Sequence, residues 1–69
     1  MPVGTVKFFN TISGFGVIEP DGGGSDAFVH ISAVEQAGMS GLVAGQKVRY
    51  DVEAGRDGKS VAGNLVALD

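Results

Sequence analysis

The chain has 69 residues, with five Lys or Arg against eight Asp or Glu (formal net charge −3), one histidine and no cysteine. That length allows one small domain, 1–69, and a chain so short buries only about 60% of its unfolded surface. Without cysteine it has neither disulfides nor thiolate-held metal, and a single histidine does not make a structural zinc site, so no cofactor or metal is expected.

The missing cysteines fit a reducing cytoplasm, and no stretch approaches the ~20 apolar residues of a membrane span. The acidic balance argues against a surface that grips phosphates through a basic stripe. Residues 1–34 hold one strong cation, Lys7, while Lys47, Arg49, Arg56 and Lys59 lie in the second half.

Apolar residues recur with a period of two, in short runs punctuated by glycine, which predicts strands. The first covers 3–10 (VGTVKFFN) and the second 15–20 (FGVIEP), ended by Pro20, which cannot donate to a ladder. The turn DGGGSD (21–26) joins it to a third strand at 27–31 (AFVHI), making a hairpin.

SAVEQAG (32–38) reads as one helical turn, with Ser32 and Glu35 as a capping box and Gly38 at its end. A fourth strand at 47–53 alternates Val48, Tyr50 and Val52 against Lys47, Arg49, Asp51 and Glu53. AGRDGK (54–59) turns the chain into a closing strand over 60–68. A chain of this size cannot fill a two-layer sandwich, so the economical architecture is all-β: a small barrel of five strands, closed to remove exposed edges.

Parity assigns the faces. On the second strand Phe15 and Val17 oppose Gly16 and Ile18; on the third, Phe28 and His30 oppose Ala27, Val29 and Ile31. An unpartnered imidazole is costly to bury, so the His30 face is the outer one, and pairing across the hairpin gathers Phe15, Val17, Phe28 and His30 there. An exposed aromatic patch marks a binding site, with Gly14 and Gly16 clearing room around the Phe15 ring for a planar ligand. The opposing reading makes Phe15 and Phe28 core and the glycines bulges or barrel corners. In KFFN, strict alternation places Val6 with Phe8, opposite Lys7 and Phe9, so parity leaves open which phenylalanine faces out.

These residues resemble the bacterial cold-shock protein family along nearly the whole chain. The family's two nucleic-acid motifs usually read K-G-F-G-F-I and V-F-V-H-F; here they read Ser13-Gly14-Phe15-Gly16-Val17-Ile18 and Ala27-Phe28-Val29-His30-Ile31, after KFFN in place of K-W-F-N. The resemblance implies an antiparallel five-stranded Greek-key barrel of the OB type. It also implies a monomeric RNA chaperone that binds single-stranded RNA or DNA with little sequence demand, melts RNA secondary structure and affects transcription or translation.

Carried over by position, the implied contacts are Lys7, Phe8, Asn10, Phe15, Phe28 and His30, with Asp26 and Arg56 as polar neighbours. Val17 and Ile31 stand where the family has phenylalanines and offer apolar area without a ring. Met39 occupies a loop position that is often aromatic, and Ser13 replaces a phosphate-contacting lysine. Base stacking needs little positive charge, which reconciles the site with the acidic balance and predicts weaker binding than in a fully aromatic relative, with a shallow salt dependence. Asp26 keeps two readings, a turn residue bonding the hairpin backbone or an acceptor for base edges.

The glycine run at 22–24 is not a phosphate cradle, because no Lys-Ser/Thr follows it. No nucleophile–base pair surrounds His30, so an enzyme acting on a small-molecule substrate is not expected. The rival is a barrel that uses the same apolar patch to dock another protein.

Overall fold

The computed structural model describes residues 2–55 and 58–68. Its elements are β1 (Val3–Asn10), β2 (Phe15–Pro20), β3 (Ala27–His30), α1 (Ile31–Gln36), β4 (Lys47–Ala54) and β5 (Ser60–Ala67). The strands form a closed barrel in the order β1-β2-β3-β5-β4.

Four seams are antiparallel, but β3 and β5 run parallel through Ala27↔Ser60 and Phe28↔Val61. The expected five-stranded antiparallel barrel is the one observed, and since a ring with an odd number of strands cannot alternate direction all the way round, it carries one parallel seam. That seam falls where α1 carries the chain from β3 to β4.

Alternation fills most of the interior, but in β5, where the register against β4 shifts, the buried Ala62 and Leu65 lie three positions apart. Val6, Ile18, Val29, Val34, Val48 and Tyr50 are sealed from solvent, with Ala27, Leu42, Ala62 and Leu65 completing the core. Val52 departs from this pattern. It shares the parity of Val48 and Tyr50 but is 51% exposed. β1 pairs with β4 over Lys47–Arg49 and the Tyr50 amide still donates to the Pro2 carbonyl, so only beyond Tyr50 is β4 flanked by β5 alone.

The helix also starts earlier than its sequence signals. His30 is the N-cap, without a side-chain cap, and Ser32 lies inside the first turn, so the Ser32–Glu35 capping box does not form. The Ile31 amide instead donates to the Gly14 carbonyl at 3.0 Å, so the β1–β2 turn satisfies a donor that a cap would have served. At the other end Met39 N donates to Val34 O and Gly38 N to Glu35 O, a Schellman closure that lays Met39 against the core. No helix among the described residues is long and apolar enough to cross a membrane.

Asp21, after β2, ties two strands together. It accepts from Thr5 Oγ1 at 2.8 Å and from Lys47 Nζ at 2.8 Å. The Lys47 and Thr5 hydrogen bonds hold its carboxyl below its ordinary value of 3.8. A carboxylate depressed in the folded state stabilises above its unfolded pKa and loses that contribution as pH falls through the folded one. The melting-temperature gap between wild type and Asp21→Asn is therefore expected to be full at neutral pH and to close as pH drops below 3.8. A gap that stays constant in thermal melts across that range would show that the charge of Asp21 plays no part.

Candidate nucleic-acid interface

A bulge in β1 builds the outer face. Val6 pairs with Ile18 and Phe8 with Val17, so the register shifts between Val6 and Phe8 and leaves Lys7 unpaired. The extra residue resets parity. Val6 stays inside, Phe8 turns outward at 52% exposure, and Phe9 packs against the core. The choice that parity left open is thus made by the bulge. Phe8→Ala is expected to spare the melting temperature and weaken ligand binding, whereas Phe9→Ala lowers stability by a few kcal/mol, the usual cost of removing a ring from a core. Paired thermal melts and binding titrations would show equal effects if the bulge were misassigned.

Gly16 faces inward opposite Phe9. A Cβ there would lie 2.5 Å from Phe9 Cδ1 and 2.8 Å from the Phe8 carbonyl oxygen. Gly14 has φ +77°, in the left-handed region, where the chain turns between β1 and β2. The two glycines therefore serve the turn and the seating of Phe9; the expectation that they clear ligand space around Phe15 is corrected.

Strand pairing sets the outer side chains in two rows. Phe8, Val17, Phe28 and Val61 follow one another across β1, β2, β3 and β5, and Asn10, Phe15 and His30 form the next row. Phe15 is 44% exposed and Phe28 partly so, which removes the reading that seals both in the core. The Phe15 and His30 rings lie 4.4 Å apart between centroids and are tilted by 57°. Together with Gly16 and Lys59 the side chains of Phe8, Phe15, Val17, Phe28, His30 and Val61 line an open groove of about 490 Å³.

The remaining sequence candidates sit elsewhere. Asn10 Oδ1 accepts from the Ile12 and Ser13 amides and so shapes the β1–β2 turn. Ile31 lies half-buried at the start of α1, against Gly14, and Met39 is half-buried on the core. Neither lines the groove.

Lys7 and Asp26 bind each other. Lys7 Nζ is 3.3 Å from Asp26 Oδ2 and 3.6 Å from Glu19 Oε2. The Asp26 hydrogen bond and charge, then Glu19, raise the pKa of Lys7. Asp26 is thus an acceptor for a side chain rather than for the hairpin backbone among the described residues. Arg56 lies outside the described residues.

Sequence reasoning missed Lys59 and Val61. Val61 reaches the site only through the β3–β5 seam, and Lys59 stands over the Phe28 ring, Nζ 5.3 Å from its centroid. No local pattern announces either one.

A closed five-stranded barrel with this strand order and an uncovered aromatic groove is an all-β barrel of the OB type. The profile of the 'Cold-shock' DNA-binding domain matches residues 3–68. The chain is 60% identical over 68 residues to cold shock protein CspA of Rhizobium meliloti, covering 97% of this chain and 99% of that protein. It is 54% identical over 68 residues to the probable cold shock protein y4cH of Sinorhizobium fredii, with coverage of 97% and 99%. The cold shock-like protein CspD of Escherichia coli is 50% identical over 58 residues, 84% of this chain and 78% of that one. The chain belongs to the cold-shock domain family.

Proposed function

We propose that this protein binds single-stranded RNA and DNA by stacking bases on Phe8, Phe15, Phe28 and His30, and acts as a nucleic-acid chaperone. The observation that supports this most directly is the grouping of these four rings around one open groove on the outer face of the barrel. In a duplex the base faces are covered by neighbouring bases, so only an unpaired strand can offer them to a ring. Every base has a π-face, so the site discriminates little among sequences. A protein that holds unpaired bases shifts the hairpin–coil equilibrium by mass action as its concentration rises, and needs no nucleotide hydrolysis.

Val17 supplies apolar area between Phe8 and Phe28 without a stacking face, so each bound strand is held by fewer rings than the family pattern provides. The protein works as a monomer in the cytoplasm under this reading. Docking of a protein partner on the same groove is the disfavoured alternative, since the match to a DNA-binding domain family speaks for a nucleic-acid ligand.

The test is fluorescence anisotropy of a labelled pyrimidine-rich oligonucleotide at low salt. Unlabelled single-stranded RNA or DNA is expected to compete, and a duplex of the same sequence is not. Absence of binding at low salt overturns the proposal.

A further inference from the structure

The cations of this acidic chain are not equally free to meet a phosphate. Lys7 lies beside the groove, but its one positive charge sits between the two negative charges of Asp26 and Glu19, at 3.3 and 3.6 Å. A phosphate approaching it meets a net negative cluster. Lys47 is held by Asp21 at 2.8 Å. Arg49 is exposed on β4 and does not line the groove. Lys59 does line it, and no carboxylate of the described residues lies within ion-pair distance of its ammonium, which rests over Phe28 instead.

We infer that, among the described residues, Lys59 and not Lys7 is the phosphate-binding cation of this interface, an inference that rests on the nucleic-acid reading above. The hold of an exposed aromatic face on an ammonium is weak. When a base stacks on Phe28 it takes the place of that ammonium, and the flexible four-carbon stem of lysine lets the charge swing to the backbone phosphate of the stacked nucleotide. Lys59 thus covers Phe28 in the free protein and pairs with the strand in the complex. Lys7 remains with its carboxylates and fixes the β2–β3 hairpin against the β1 bulge.

Salt dependence separates the two lysines. Each phosphate neutralised on a single strand contributes about 0.7 to the fall of log K with log salt, or about fivefold in affinity over a tenfold rise in salt. Titrations of a labelled pyrimidine-rich single-stranded DNA over such a range are expected to lose that fivefold component in Lys59→Ala and to keep it in Lys59→Arg. Lys7→Ala and the control Arg49→Ala, which removes a positive charge outside the groove, are expected to keep the wild-type slope. An unchanged slope in Lys59→Ala overturns the inference, as does an equal loss of slope in Lys7→Ala or Arg49→Ala. Wild-type protein that binds no strand at low salt overturns the nucleic-acid reading itself, a result distinct from binding with an unaltered Lys59→Ala slope.

Discussion

Phe15→Ala is expected to weaken binding of a pyrimidine-rich single strand by about 5- to 150-fold, corresponding to the roughly 1–3 kcal/mol that one base–aromatic stack contributes. Phe15 is 44% exposed and belongs to the outer row with Asn10 and His30, so truncating it opens no core cavity and should leave the circular dichroism spectrum and melting temperature near wild type. Its ring also flanks His30 at 4.4 Å, so the two do not act independently. The Phe15→Ala/His30→Ala double variant should therefore lose less than the sum of the single losses. Phe28→Ala should show a loss of the same order. If both phenylalanine variants bind as the wild type does, base stacking in this groove is wrong, whatever the family.

Gly16→Ala carries the largest expected effect on stability. The added Cβ would stand 2.5 Å from Phe9 Cδ1, 2.8 Å from the Phe8 carbonyl oxygen and 3.1 Å from Val29 Cγ1. A ring can shift, but the carbonyl belongs to the backbone next to the β1 bulge, so the β1–β2 pairing itself has to open. Overpacking of this kind costs about 1–3 kcal/mol, a large share of the few kcal/mol that so small a core supplies. At about 4–8 °C per kcal/mol, the melting temperature should fall on the order of 10 °C. Gly22→Ala is the control, because a Cβ there meets nothing within 4 Å. Equal melting temperatures for Gly16→Ala and wild type would return Gly16 to the role of clearing space for a ligand.

The two predictions separate functions that lie side by side in one short stretch. In GFGVIEP the aromatic ring lines the open groove and the glycine beside it seats Phe9 of the neighbouring strand. Read along the chain, Gly14 and Gly16 look like partners of Phe15. In three dimensions Gly16 is the partner of Phe9, across the barrel wall.

Local pattern alone determined a good deal. The alternation of Phe15 and Val17 against Gly16 and Ile18, and of Phe28 and His30 against Ala27 and Val29, assigns inner and outer faces as the structure has them. The DGGGSD turn announced the β2–β3 hairpin, and its pairing of Phe15 with His30 and Val17 with Phe28 follows from it. Periodicity could do this because successive side chains of a strand point to opposite sides, and a small barrel has only one side to fill.

The tertiary structure decided the rest. Whether Phe8 or Phe9 faces the groove depends on a bulge that exists only in the pairing of β1 with β2. The start of α1 depends on a carbonyl lent by Gly14, and that bond prevails over the Ser32–Glu35 signal. Val61 and Lys59 join the aromatic rows through the parallel seam, and Lys7 is claimed by carboxylates 12 and 19 positions away along the chain. Each of these is a fit between segments remote in sequence. The order of residues along one strand records which way each side chain points, while ring closure and charge pairing decide what it meets there.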